Sequence, residues 1–559
     1  MSYGKDIPDY AMVPAKEVKE PTEIKAKEAM VIPITKGAVY SPMQMTDISE
    51  KNKTTIVIEE DILVPDTKPD MREILLIDGR TRLSSREFCA GAKPEEYITL
   101  AGEIELATLY LPEKQEGCGE IISVQSRIAF KEQWHVGVAP GACLTVRCKT
   151  EKIEYMVINE RKYRVKVTLA VFAKEYADKK IEIFEGISGE EICMLKERIE
   201  LSRVETRKKD SLSISENLAI REEDGIESIL KQDICAVENY KQVTGEKAVI
   251  NGFITVNILY SVRAESESEC SEIRQAAEKV EFTQFIPIKQ SSEASGCTVC
   301  FDTSDLRVKL VQDDEEGEVL RLEGDIVTYI EVYSNSEKEI ITDAYHREKD
   351  FVCDFKEEKS RSLVGSAVGE SSVREIISSE SYGEIEKILY AGGDAAGCES
   401  YAENGKTVIE GVITVKLICR NEAEEGEGGR TVFSLHKDVP FRVACAMPQV
   451  IESDLAESCV CLKELRAEKI NGKQIEVNAT LLASTDVMRD TPFKLPQNPA
   501  FEESTETDER AQMVVYTVQE QDSLWSIAKR FKTSTESICS INELEGEEIG
   551  SGEKLLILR

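Results

Sequence analysis

A long internal repeat is the sequence feature that most constrains the fold of this 559-residue chain. An alternating apolar stretch that begins with glycine occurs three times, as GEIELATLY at 102–110, GFITVNILY at 252–260 and GVITVKLIC at 411–419. An Ile-Leu pair precedes each copy, at residues 74–75, 229–230 and 388–389. The repeat glycines lie 150 and then 159 residues apart. Solenoid repeats are only about 20–50 residues long, whereas a unit of this greater length can bury a core of its own. We therefore expect three modules arranged like beads on a string.

Within each copy, apolar residues recur at every second position. Ile104 and Leu106 fall on one side of the chain, and Glu105 between them falls on the other. This period is typical of a strand with one buried face. Polar turns between the later strands are predicted at residues 159–161, 313–317 and 471–472. The predicted fold class is mainly β, with three antiparallel β-sandwich-like modules and a small C-terminal α+β domain.

The first copy opens with a distinctive motif, VPDTKPDMREIL, at residues 64–75. Asp70 and Glu73 have the spacing of a capping-box pair, which predicts a short helical turn. Met71, Ile74 and Leu75 would then face a core. The later copies keep the apolar pattern but lose both prolines. The motif therefore has two readings, a structural turn that closes the sheet or a docking surface that only the first copy carries.

Charge and hydropathy restrict the cellular setting. Asp and Glu number 105 against 70 Lys and Arg, a formal charge of −35, which would repel a nucleic-acid backbone. The N-terminal 50 residues lack the apolar core of a signal peptide, and no run approaches the roughly 18 apolar residues of a membrane span. The sequence therefore predicts a protein that stays in the cytosol, without a membrane span.

Cysteine and histidine offer little material for catalysis. The 16 cysteines are irregularly spaced, many in apolar runs, which favours reduced thiols over a disulfide framework. The CxxC pair Cys297 and Cys300 has no second ligand pair, so no zinc site is predicted. With three histidines and no recognised hydrolase or nucleotide-binding signature, we expect no enzymatic activity, no metal and no cofactor.

The C-terminal sequence predicts a separate domain that follows an acidic linker at residues 498–512. A strand at 514–518, helices at 524–531 and 533–541, and a strand at 554–558 give a βααβ order. Leu524, Ile527, Ala528 and Phe531 recur at i, i+3, i+4 and i+7. That spacing places one helical face on the two strands.

The opening motif and the repeated glycine strand together resemble the SPOCS domain of spore coat and cortex proteins. The resemblance is close in the first copy and looser in the second and third. It divides the chain into an N-terminal extension (1–50), three SPOCS-like repeats (51–200, 201–358 and 359–497), the linker (498–512) and the C-terminal domain (513–559).

The segment YTVQEQDSLWSIAKRF at 516–531 resembles a LysM domain. In glycan-binding LysM domains, N-acetylglucosamine chains lie between two loops. The resemblance assigns to these loops Asp522, Ser523, Leu524, Asn542, Glu543, Leu544 and Ile549. The structural alternative is that Asp522 and Asn542 only cap helices, and that Trp525 is packing. Gln521 stands where the family usually has glycine, and the nearby glutamates, from Glu543 to Glu548, suit a basic protein partner.

SPOCS repeats followed by LysM resemble the SipL-type spore coat morphogenesis proteins. The resemblance implies a non-enzymatic adaptor in the mother-cell cytoplasm at the forespore surface. Its LysM domain would recruit or tether a coat-basement ATPase of the SpoIVA type. The alternative is a peptidoglycan or cortex binder that uses the LysM groove. A LysM-targeted wall hydrolase lacks any supporting motif. Exposed sheet edges also allow self-association.

Overall fold

The computed structural model describes most of the chain. The described residues are 31–33, 37–113, 121–220, 225–263, 271–288, 294–313, 317–379, 383–421, 432–502 and 512–558. Most of the N-terminal extension and of the acidic linker therefore lies outside the described residues. None of the helices in the described part of the chain is long and apolar enough to cross a bilayer.

Each copy of the repeat forms two antiparallel sheets. Strand β1 (Val31–Pro33) precedes the first module and pairs with a strand of the third. The first module contains β2 (Ala38–Leu63), β3 (Met71–Leu83), β4 (Glu87–Cys89), β5 (Ile98–Pro112), β6 (Ile122–Trp134), β7 (Cys143–Asn159) and β8 (Lys162–Ile187). Its sheets have the orders β3-β5-β6 and β2-β8-β7-β4. Because apolar residues alternate along these strands, their inner faces enclose a common core.

The other two modules repeat this plan. The second contains β9 (Ile192–Asn217), β10 (Ile226–Thr244), β11 (Lys247–Val262), β12 (Glu272–Pro287), β13 (Ala294–Asp302), β14 (Arg307–Asp313) and β15 (Gly317–His346). The third contains β16 (Asp350–Ser378), β17 (Ile385–Glu403), β18 (Lys406–Asn421), β19 (Val432–Ala446), β20 (Leu455–Asn471) and β21 (Gln474–Glu502). The predicted mainly β, antiparallel fold class is confirmed.

The predicted helical turn at residues 70–75 is wrong, because this segment enters strand β3. Register shifts lie between Met71 and Glu73 and between Ile74 and Leu76. Each β-bulge inserts a residue and breaks the two-residue alternation. Two bulges in six residues therefore reproduce the helical spacing of the apolar positions. The side chains of Met71, Ile74 and Leu75 are buried, as expected.

The same bulge in every copy builds an apolar core that all three modules share. The pairing shift occurs at Leu75, at Leu230 and at Leu389. These leucines meet in one cluster, which we call the central core, completed by Leu76, Leu109, Leu111, Ile121, Leu259, Ile273, Tyr390, Ile418 and Val432. Each module buries a core of its own, as expected. The shared central core contradicts only the expectation that the modules are separate, like beads on a string.

Charged groups lie beside the central core. Lys231 occupies the position equivalent to Leu76 and Tyr390, and its side chain is 3% exposed. Its Nζ lies 2.9 Å from a carboxylate oxygen of Asp78 and 5.1 Å from the ring centroid of Tyr390. Lys416 also pairs with Asp78. All three modules therefore contribute to one buried ionic cluster.

Long strands carry the modules beyond their sandwiches. The six strands β2, β8, β9, β15, β16 and β21 contain 26 to 30 residues each. We call their outer parts the arms. All of the arms except that of β16 contribute to a second core of Met43, Met45, Ile181, Ile183, Ile199, Leu201, Ile340, Phe493 and Leu495. Strands cross the expected boundaries after residues 50, 200 and 358, and the predicted domain limits stay predictions.

One pair of cysteines departs from the expectation of reduced thiols. Cys89 and Cys143 are register partners on β4 and β7 and form a disulfide. Cys297 and Cys300 are unpaired; the first is buried and the second half-buried near Arg86, whose Nη1 lies 3.8 Å from its Sγ. These two thiols do not form a disulfide with each other.

The C-terminal domain has the predicted βααβ order. It contains β22 (Met513–Thr517), α1 (Leu524–Phe531), α2 (Thr535–Asn542) and β23 (Lys554–Leu558), and the two strands pair antiparallel. Leu524, Ile527 and Ala528 are buried on one face of α1, as their spacing predicts.

Candidate functional site in the C-terminal domain

The loop before α1 is stabilised from within. Ser523 is the N-cap: its Oγ accepts a hydrogen bond from the Ser526 amide, and its own amide donates to Ser526 Oγ. Asp522 accepts bonds from the Tyr516 hydroxyl (2.6 Å) and the Gln519 amide (2.9 Å). These bonds hold the pKa of the Asp522 carboxyl below its ordinary value. The side chain of Asp522 is only 7% exposed.

The side chain of Asn542 is also hydrogen-bonded within the domain. Its amide nitrogen donates to the carbonyls of Ile538 (2.8 Å) and Leu556 (2.7 Å), and its oxygen accepts from the Leu556 amide (2.7 Å). These bonds tie the end of α2 to strand β23. Leu524 is buried in the domain core, so four of the seven expected loop residues, including the N-cap Ser523, contribute their side chains to the fold.

The remaining loop residues lie nearer the surface. Glu543 is the C-cap of α2, with a left-handed backbone (φ 52°), and Leu544 and Ile549 are half-buried against the core. A shallow groove of about 430 Å³ runs along α2. Its lining residues are Thr535, Glu536, Cys539, Ser540, Glu543, Leu544 and Glu547. The groove includes only Glu543 and Leu544 from the expected set.

The outward side of α2 is acidic. Five glutamates of α2 and of the segment that follows it are exposed, and none forms an ion pair within the described part of the chain: Glu536, Glu543, Glu545, Glu547 and Glu548. Clustered carboxylates without counter-charges produce a negative potential. This surface is electrostatically complementary to a basic protein segment, whereas a neutral sugar gains little from it.

The outer side of α1 contacts the arms. We call residues 343–350, which end β15 and begin β16, the arm tip. The Trp525 indole donates to Asp343 (2.8 Å), and Lys529 Nζ lies 2.7 Å from the same carboxylate. Tyr345 is 4% exposed and belongs to the core of the C-terminal domain, with its ring centroid 4.9 Å from that of Trp525. Trp525 is therefore packing, as the structural reading expected.

The copy-one motif forms a loop around Arg161, in the turn between β7 and β8. The guanidinium donates to the carbonyls of Val64 (3.2 Å) and Pro65 (2.9 Å) and to the Asp70 carboxylate (2.5 Å). Within the described residues, one group of three acidic side chains could reach a common ion: Asp70, Glu113 and Glu160. Asp70 already has a cationic partner in Arg161.

Comparisons with known families match two segments of the chain. The model of the SipL SPOCS domain matches residues 225–311, and that of the LysM domain matches residues 516–557. The first match covers β10 to β14 of the second module, although the opening motif predicted the closest resemblance in the first. None of the curated proteins compared matches the chain.

The chain therefore contains a SipL-type SPOCS domain and a LysM domain, as the resemblance predicted. These domains support a role in sporulation or in the spore coat. The SipL-type domain implies that the protein associates with the coat. LysM domains are a class associated with glycan binding, and neither the SPOCS nor the LysM family is catalytic.

Sequence reasoning missed the contact between the LysM domain and the arm tip. Asp343 and Tyr345 lie more than 180 residues before their partners. No local pattern marks them, because acidic and aromatic residues are common at strand ends. Trp525 was a weak signal, since an indole beside buried positions of a short helix requires some partner for its N–H.

Proposed function

We propose that this protein is a non-enzymatic adaptor in spore coat assembly. Its SPOCS modules form the body, and its LysM domain recruits or tethers a coat-basement ATPase of the SpoIVA type to the forespore surface. The two domain matches support a role in the spore coat. The proposal adds a particular class of partner to that role.

The observation that carries this proposal is that the two loops and α2 of the LysM domain differ in how free their side chains are. Asp522, Leu524 and Asn542 are engaged in the fold, while the glutamates along α2 are exposed without counter-charges. A protein partner with basic residues gains directly from such a surface. The shared cores of the body support the adaptor role, because they fix the modules relative to one another.

The test is a binding experiment with the full chain. The immobilised ATPase is compared with insoluble peptidoglycan, each at low and high salt. We expect retention on the ATPase that weakens as salt screens the charges. Glu543→Lys/Glu547→Lys should abolish retention, because both residues line the groove.

A matched control separates surface effects from loss of folding. Glu132→Lys/Glu337→Lys makes the same change of charge at exposed positions in β6 and β15, outside the LysM domain and the arm tip. It should retain binding, and both variants should unfold at the temperature of the parent chain. Equal binding by the groove variant and the parent would contradict the proposal.

Peptidoglycan binding is the second candidate, and the LysM match itself favours it. Under this alternative, N-acetylglucosamine chains would contact Asp522, Ser523, Leu524, Asn542, Glu543, Leu544 and Ile549. Retention on peptidoglycan alone, unaffected by salt, would support this function and reject ATPase recruitment.

A further inference from the structure

The LysM domain has an uneven distribution of charge. Its exposed glutamates follow α2, whereas Lys529, Arg530 and Lys532 cluster at the end of α1. The cationic end faces the arm tip. Two of its lysines contact aspartates there, Lys529 with Asp343 and Lys532 with Asp350 (2.5 Å). The domain thus presents opposite charges to the body and to the outside.

Apolar and hydrogen-bonded contacts complete this interface. The Tyr345 hydroxyl donates to the backbone carbonyl of Thr533, which follows α1. The Tyr345 ring packs edge-on against Trp525 at an interplanar angle of 63°. Asp343 receives the indole N–H in addition to the lysine. The arm tip therefore covers the α1 surface with acidic and aromatic groups.

We propose that this contact is a salt-sensitive latch. Residues 343–350 occupy the α1 surface of the LysM domain and keep it from external ligands until the domain is released. The inference goes beyond the proposed function, because it concerns a different face of the domain and holds whichever partner binds α2.

The chemistry of the contact makes release reversible. Partly exposed ion pairs contribute little each and are screened by salt. The chain from Glu502 to Met513 can extend over about 35 Å, so a released domain stays tethered near the body. In the open state, Trp525, Lys529 and Lys532 become available to an acidic, aromatic segment that resembles the arm tip.

Tryptophan fluorescence can report the latch directly. The chain has two tryptophans, and Trp134 is buried in the first module. Trp134→Phe therefore leaves Trp525 as the single reporter in the full chain. In this background, we expect Asp343→Lys/Asp350→Lys to shift the emission to the red. Quenching by acrylamide should rise toward that of the urea-unfolded chain.

Two comparisons make the result specific. Reversing the partner charges as well, with Lys529→Asp/Lys532→Asp, should restore low quenching. The control Glu132→Lys/Glu337→Lys should leave quenching unchanged, because both residues are exposed and lie outside the arm tip. In the parent, added NaCl should raise quenching, and the opened variant should respond little.

The latch is rejected if charge reversal at the arm tip leaves Trp525 as protected as in the parent. Rejection also follows if quenching of the parent is independent of salt. Near-ultraviolet circular dichroism and the unfolding temperature check that the opened variant keeps a folded body. A variant that fails this check is replaced by Asp343→Asn/Asp350→Asn, for which the same increase in quenching is expected.

Discussion

The glycine that opens each repeat strand is fixed by an aromatic ring on the neighbouring strand. Gly102, Gly252 and Gly411 are register partners of Phe130, Phe282 and Phe441. A Cβ on Gly102 would lie 2.8 Å from the Phe130 ring and would also collide with the Arg82 carbonyl. The glycine thus allows a close approach between strand and ring, which explains its place in the repeat.

Gly102→Ala should destabilise the first module by about 1–3 kcal/mol, the usual cost of overpacking. The measurement is the free energy of unfolding in urea. Gly91→Ala is the matched control, since a Cβ there meets nothing within 4 Å. Equal stability of the two variants would contradict the packing role of the repeat glycine.

At the scale of elements, alternation in the sequence predicts the strands and the turns at 159–161 and 471–472. It could not predict the bulges in β3, because an inserted residue makes a strand resemble a helical turn. Nor could it predict the arms, because their apolar side chains are buried against strands of other modules. Within the LysM domain, the helix face was predictable because its partners are local.

The loop at residues 64–70 should depend on Arg161. Arg161→Gln removes the donors to Pro65 and Asp70, so the loop should open more often. We expect faster hydrogen exchange at the amides of Lys68 and Met71, which bond within and beside the loop. Exchange is measured by mass spectrometry of peptides from this region.

Arg164→Gln provides the control for this loop. Arg164 lies on the same hairpin but pairs with Asp61, outside the loop. Its variant should leave exchange at Lys68 unchanged. Unchanged exchange in the Arg161 variant would mean that the backbone alone holds the loop.

For the whole molecule, the buried ionic cluster joins three modules through Asp78. Burial opposes ionisation of this carboxyl, but Lys231 and Lys416 outweigh it and hold its pKa below the ordinary value. A carboxyl with a lowered pKa in the folded state stabilises the fold above its unfolded pKa. The contribution is lost as the pH falls through the folded pKa.

Asp78→Asn should therefore cost about 1.5–3 kcal/mol at neutral pH, the range for hydrogen bonds to charged groups. The difference from the parent should shrink below about pH 4, where Asp in the unfolded chain takes up a proton. Urea unfolding at pH 7 and pH 3 measures both values. Asp66→Asn, at a fully exposed carboxylate, should show little effect at either pH. A pH-independent difference for Asp78→Asn would rule out the charge pairing.

The copies that meet at the central core are no longer interchangeable. Where the first has Leu76, the second has Lys231 and the third Tyr390, and the lysine relies on acidic groups from two modules. Recombination between repeats in the gene could delete one copy or duplicate another. A second Lys231 at the same centre would then bring two ammonium groups together. Single repeats therefore cannot be exchanged without changing the contacts that their residues make at this centre.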